Sequence, residues 1–129
     1  IFYKIMVLTI DTGSSDEIEV SLSKGGQIIK SKIKAPRQQA ERLLPLIEKM
    51  LLKHDISWRR IKEIRVQDEG GSFTSLRIGV LTANALAYAL GVPVRAMAGG
   101  ESFSFEGGQA VKPRYGSEPN IGKKAVPAC

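Results

Sequence analysis

The sequence predicts an α/β fold: a mixed five-stranded sheet with two main helices, followed by an extended C-terminal tail. Three observations lead there. Strand-like runs joined by short turns fill the first third of the chain. Two helical periods then alternate with two more strand-like runs. After Ala98 glycine and proline take over and no period survives.

"FYKIMVLTID" is an apolar run rich in Ile, Val, Tyr and Phe, which predicts a buried central strand. Gly13, Ser14 and Ser15 form a turn. "EIEVSLS" alternates, with Ile18, Val20 and Leu22 on one face, and "KGGQ" signals a hairpin into "QIIKSKIK". Three strands joined by short turns predict an antiparallel meander. Pro36 suits the first turn of a helix running from Arg37 to His54. Its apolar residues form two rows: Leu44, Ile47 and Leu51 can face a sheet, and Leu43, Leu46 and Met50 need another cover. A connector turn capped by Ser57, with Trp58 and Ile61 packed down, leads to a short strand in "EIRVQ". The second helix is capped by Ser72 or Thr74, ends at Gly91 and is followed by Pro93. "VPVRAMA" is the last strand. Strand, strand, strand, helix, strand, helix, strand is the order of the ribonuclease-H-like unit, which actin-like and Hsp70-like (ASKHA) folds use twice. The expected division is a lobe over residues 1–98 and a glycine- and proline-rich tail over 99–129, with room for a brief pairing around Ala110 and Val111.

The second helix is apolar almost all round, so the sheet accounts for only half of its surface. In so small a chain the other half points to a partner subunit. Gly79, Ala83 and Ala87 recur every four residues and would let a neighbour's backbone approach closely. No apolar run reaches the ~18 residues of a membrane span, and Ile1–Ile10 holds Lys4 and no cleavage site. A soluble, cytoplasmic chain is expected. The only cysteine, Cys129, fits a reducing compartment and is expected to have no role. The net charge of +6 favours polyanionic partners, although alternating lysines at 30, 32 and 34 also suit the wet face of an edge strand.

Catalytic sets are thin. His54 is the only histidine, which leaves no two-histidine metal site; Glu41 and Glu48 are too far apart for a dyad; no Ser–His–Asp set can be argued. No metal or cofactor is expected. Two stretches remain. "IDTGSS" ends a strand with Asp11 and Thr12 before a turn of small residues. Its backbone N–H groups could meet metal-bound phosphates, or Asp11 and Thr12 could hydrogen-bond the turn itself. "EGGSFTSLRIG" sets Gly70, Gly71 and Ser72 at a helix start. It could offer phosphate a helix N-terminus, but it lacks the Lys-Ser or Lys-Thr of a Walker loop. Alternatively the glycines permit the turn and Ser72 caps the helix.

"IDTGSS", "AERLLPLIEKML", "GGSFTSLRIGVLTANALAYALGVPV" and "VKPRYGSEPNI" stand in one order, and in that order they resemble the TsaB (YeaZ) family. The resemblance covers about Leu8 to Val94 plus the tail, and Ser-Phe-Thr-x-Leu-Arg-Ile-Gly is its most specific part. The family commonly reads Gly-Pro-Gly-Ser-Phe-Thr-Gly, where this chain has Glu69, Gly70 and Ser75 at the departing positions. It often has His-Ser-Glu where this chain has Gln39, Ala40 and Glu41. Glu69 would repel phosphate. TsaB-like proteins have two lobes, and this chain reads as the first lobe with the family's tail, which leaves a nucleotide cleft with one wall.

The resemblance implies a non-catalytic subunit in forming threonylcarbamoyladenosine beside the tRNA anticodon. It would pair with the catalytic subunit TsaD through a bundle of two helices from each protein, with the ATPase TsaE joining. Alone, the chain would homodimerise; tRNA would be met through the complex. Expected partner-binding residues are Leu43, Leu46 and Met50 on the first helix and Arg77, Leu81, Asn84 and Tyr88 on the second. Asp11, Thr12, Gly70, Gly71 and Ser72 would be a vestigial nucleotide site. The alternatives are an autonomous nucleotide hydrolase or peptidase-like enzyme, and a tRNA-binding module using the lysine-rich third strand and the tail.

Overall fold

A computed structural model describes residues 5–98 and 102–103. Strands β1 (Met6–Asp11), β2 (Glu17–Lys24) and β3 (Gln27–Lys34) form an antiparallel meander. Helix α1 (Gln39–Lys53) leads through a single 3-10 turn to β4 (Ile61–Val66), and α2 (Phe73–Leu90) leads to β5 (Val94–Ala96). β4 pairs parallel to β1, and β5 parallel to β4. The sheet order is β3-β2-β1-β4-β5, and a two-residue strand β6 (Ser102–Phe103) adds antiparallel at the β5 edge. Pairing around Ala110 and Val111, and the role of Cys129, lie outside the described residues.

The sequence explains these elements locally. Gly25 and Gly26 both take positive φ (57° and 91°), the conformation a two-residue hairpin turn needs. Met6, Leu8 and Ile10 alternate with Val7, Thr9 and Asp11, and the register sets Leu8 between Leu22 and Ile64 and Ile10 between Val20 and Val66. That face carries both helices over one core, which also takes in Ile18, Val94 and Ala96. The opposite face carries Lys30, Lys32 and Lys34 of β3, with Glu17, Glu19, Glu63, Arg65 and Arg95.

Two boundaries differ from the sequence reading. Residues 36–38 form a turn, not the first turn of α1, because Arg37 takes a left-handed φ of 61° that a helix cannot contain. The strand expected over residues 2–11 is described only from Met6. α2 does have the length and composition to cross a membrane, with a mean hydropathy of 1.2, contrary to the sequence reading. Here its inner face packs on β1, β4 and β5, as a core helix does.

Candidate partner surface and the clamped loop beside it

α2 begins where three loops meet. Ser72 is its N-cap, and the Ser72 hydroxyl accepts the N–H of Ser75 (3.1 Å). Gly70 and Gly71 both have positive φ (95° and 67°). Gly71 also lies against the β1–β2 loop: a Cβ there would fall 1.6 Å from the Gly13 carbonyl oxygen. Only glycine fits both demands.

A buried polar network ties the same loops together. Thr12 Oγ1 donates to the Ser75 carbonyl (2.6 Å). Ser72 Oγ donates to Ser75 Oγ (2.8 Å), and Ser75 Oγ donates to Gln39 Oε1 (2.5 Å). Gln39 Nε2 then donates to the carbonyls of Ser14 and Glu17, each at 2.8 Å. Gln39, Ser75 and Thr12 are all buried. One glutamine amide therefore holds the β1–β2 loop to the first turns of both helices. The sequence marks Gln39 and Ser75 only as departures from a family pattern; the structure shows that they bond to each other. The signal available beforehand was a glutamine on the inner side of an amphipathic helix, where a polar group must find partners.

Asp11 hydrogen-bonds its own turn, accepting the N–H of Gly13 at 2.7 Å. Asp11, Thr12, Gly70, Gly71 and Ser72 are thus brought to one corner, but Thr12 and Ser72 point their hydroxyls inward to protein partners. A cavity of about 230 Å3 opens there, lined by Asp11, Glu17, Glu19 and Glu69 with Lys32 the one cation in its wall. Four carboxylates around one lysine repel a free polyphosphate. No group of three or more metal-ligating side chains occurs among the described residues.

The outer face of α2 is different. Arg77, Leu81, Asn84 and Tyr88 follow the helical spacing on the side away from the sheet. Leu81 is 61% and Tyr88 71% exposed, and the Arg77 guanidinium stands 5.3 Å from the Phe73 ring centre. Gly79, Ala83 and Ala87 face the other way and are buried. The close backbone approach expected of a partner is made inside the chain: a Cβ on Gly79 would meet Thr12 Oγ1 at 2.4 Å.

On α1 the expected partner residues need correction. Leu43, Leu46 and Met50 are buried in the core with Ile47 and Leu51, because α1 lies over the sheet with the whole second predicted row and all of the first but Leu44 turned inward. The apolar groups left outside are Leu44, Pro45 and Leu52, the last 80% exposed beside a shallow groove.

Known proteins share this fold. The family model described as "TsaD: tRNA N6-adenosine threonylcarbamoyltransferase" matches residues 26–106. The chain belongs to the TsaD family, in its TsaB (YeaZ) group. It is 28% identical over 102 residues to the tRNA threonylcarbamoyladenosine biosynthesis protein TsaB of Bacillus subtilis, covering 78% of this chain and 44% of that protein. Two solved structures, one of them of YeaZ from Pseudomonas aeruginosa, superpose with a TM-score of 0.68 at 29% identity. The other is described as an uncharacterized protein with similarity to peptidase YEAZ. Each alignment covers 72% of this chain and 43% of the other. The chain thus spans less than half the length of these relatives.

Proposed function

We propose that the chain is a non-catalytic TsaB-like subunit that docks on a TsaD-type catalytic subunit and supports it in forming threonylcarbamoyladenosine in tRNA. The observation that carries this reading is the outer face of α2. An 18-residue helix with its inner side fully used by the sheet still presents Leu81 and Tyr88 to solvent, with Leu52 of α1 outside as well. Burying such groups against another helix contributes about 25 cal/mol per Å2 of apolar area before association costs. On this reading the α1 contribution comes from Leu44 and Leu52, not from Leu43, Leu46 and Met50. A TsaE-type ATPase would join the assembled pair, the free chain would use the same face to homodimerise, and the site of action would be the cytoplasm.

The test is co-expression with the TsaD-type subunit of the same genome. Stable co-purification through size exclusion is the expected result, and separate elution would overturn the reading. The rival is a nucleotide-using or peptidase-like enzyme built on Asp11 and the Gly70–Ser72 turn. The acidic cavity and the inward-bonded hydroxyls speak against it. Calorimetry with ATP and magnesium separates the two: micromolar binding by the isolated chain would favour the enzyme.

A further inference from the structure

The face of the sheet opposite the helices carries a line of hydrogen-bond donors that the partner surface does not use. The strand register places Lys30, Ser21, Thr9, Arg65 and Arg95 side by side on β3, β2, β1, β4 and β5. All five point to the helix-free side, because their neighbours along each strand fill the core. No carboxylate stands in this row. Glu63, two residues before Arg65 on β4, bonds Arg65 (2.6 Å) and lies 3.9 Å from Arg95, so it offsets one of the row's three charges. The arginine side chains remain 42% and 44% exposed, and Lys30 is exposed. On this same face Asp11 and Glu19 stand one row along with Lys32, and with Glu17 and Glu69 they gather around the cavity at the loop end of the sheet.

Neighbouring strands lie about 4.8 Å apart, so five strands spread this row over roughly 19 Å. At a rise of about 3.4 Å per nucleotide, that is the reach of roughly five stacked nucleotides. Lysine, guanidinium and hydroxyl donors in a line suit phosphate oxygens and sugar hydroxyls. Neither Trp58, Phe73 nor Tyr88 shares this face, so there is no stacking platform for bases among the described side chains. Contact of this kind would be sequence-independent and steeply dependent on salt.

We propose that the row Lys30–Ser21–Thr9–Arg65–Arg95 is a docking track for the phosphate backbone of RNA, and that it holds the tRNA while the catalytic partner works on its base. The choice of RNA over an acidic protein rests on the function proposed above and on the row itself, which offers donors and no apolar anchor. The track lies on the opposite face of the sheet from α2, so tRNA and a TsaD-type partner can be held together.

The experiment is fluorescence anisotropy of labelled bulk tRNA with the chain alone, across a salt series from 50 mM upward. The Lys30→Glu, Arg95→Glu double variant is expected to lower the affinity at least tenfold and to flatten the log–log salt slope by about two. Both side chains are exposed, and the Lys30→Gln, Arg95→Gln pair gives the same comparison without reversing charge. Leu81→Asp is the control and should leave tRNA binding unchanged even where it removes the protein partner, which keeps this proposal's failure distinct from that of the partner reading. Absence of tRNA binding at 50 mM salt, or an affinity indifferent to the double variants, would overturn the track. Displacement of the tRNA by poly-glutamate at equal charge concentration would overturn its assignment to RNA.

Discussion

Gly71 shows how much of the corner depends on single atoms. Its φ is positive, and its missing Cβ leaves room for the Gly13 carbonyl. Gly71→Ala must push the β1–β2 loop off the start of α2. It is expected to cost about 2 kcal/mol or more, a fall in Tm of roughly 10 °C for a domain of this size. A thermal melt within about 2 °C of wild type would contradict the close approach. Gln39 tests the same corner through hydrogen bonding. Gln39→Ala leaves the Ser14 and Glu17 carbonyls without the amide donor and the Ser75 hydroxyl without its Gln39 acceptor, at an expected cost of about 1–3 kcal/mol. Amide exchange over residues 13–17 should rise with it, because the loop loses its anchor to α1. Unchanged protection there would show that the loop is held by other means. Neither residue's role was legible from one-dimensional pattern. The glycine pair announced a turn, but the 58-residue jump between Gly13 and Gly71 is set by how the β1–β2–β3 meander and the single α1 crossover bring the two loops to one end of the sheet.

At the scale of elements, the periodic signals were reliable and the counting of faces was not. Alternation in "EIEVSLS" and the double glycine of the hairpin specify β2, β3 and their register, because a one-residue slip would turn Ile18, Val20 and Leu22 out of the core. Ser72 and Gly91 bound α2, with Gly91 at a φ of 68° and the Val92 N–H reaching back to the Ala87 carbonyl (3.0 Å). For α1 the same logic assigned too narrow an inner face. A helix lying over a twisted sheet and beside another helix buries a wide arc, so Leu43, Leu46 and Met50 all go inside. The surplus apolar surface therefore belongs mainly to α2. The Gly79, Ala83 and Ala87 stripe was misread for the same reason: a helix pressed onto a central strand needs small residues on its inner side. The polar row across the far face was only partly visible as alternating lysines, since its other members come from strands up to 65 residues away.

For the whole molecule, one sheet separates two surfaces: helices with an apolar outer side on one face, and a charged, donor-rich array on the other. The ribonuclease-H-like order was readable because each crossover in the chain is short and each strand type is distinct. If α2 presents the assembly face, the free chain should self-associate through it. Light scattering is expected to show a concentration-dependent dimer for the wild type and a monomer for Leu81→Asp; a wild type that stays monomeric at high concentration would remove the homodimer from the account. The most direct test of the central claim is the affinity of the chain for the TsaD-type subunit of its own genome, measured by calorimetry for wild type and Leu81→Asp. Leu81 is exposed, so the substitution should leave the thermal melt unchanged while weakening binding at least a hundredfold. A folded Leu81→Asp chain that binds as tightly as wild type would contradict the assignment of α2 as the partner surface.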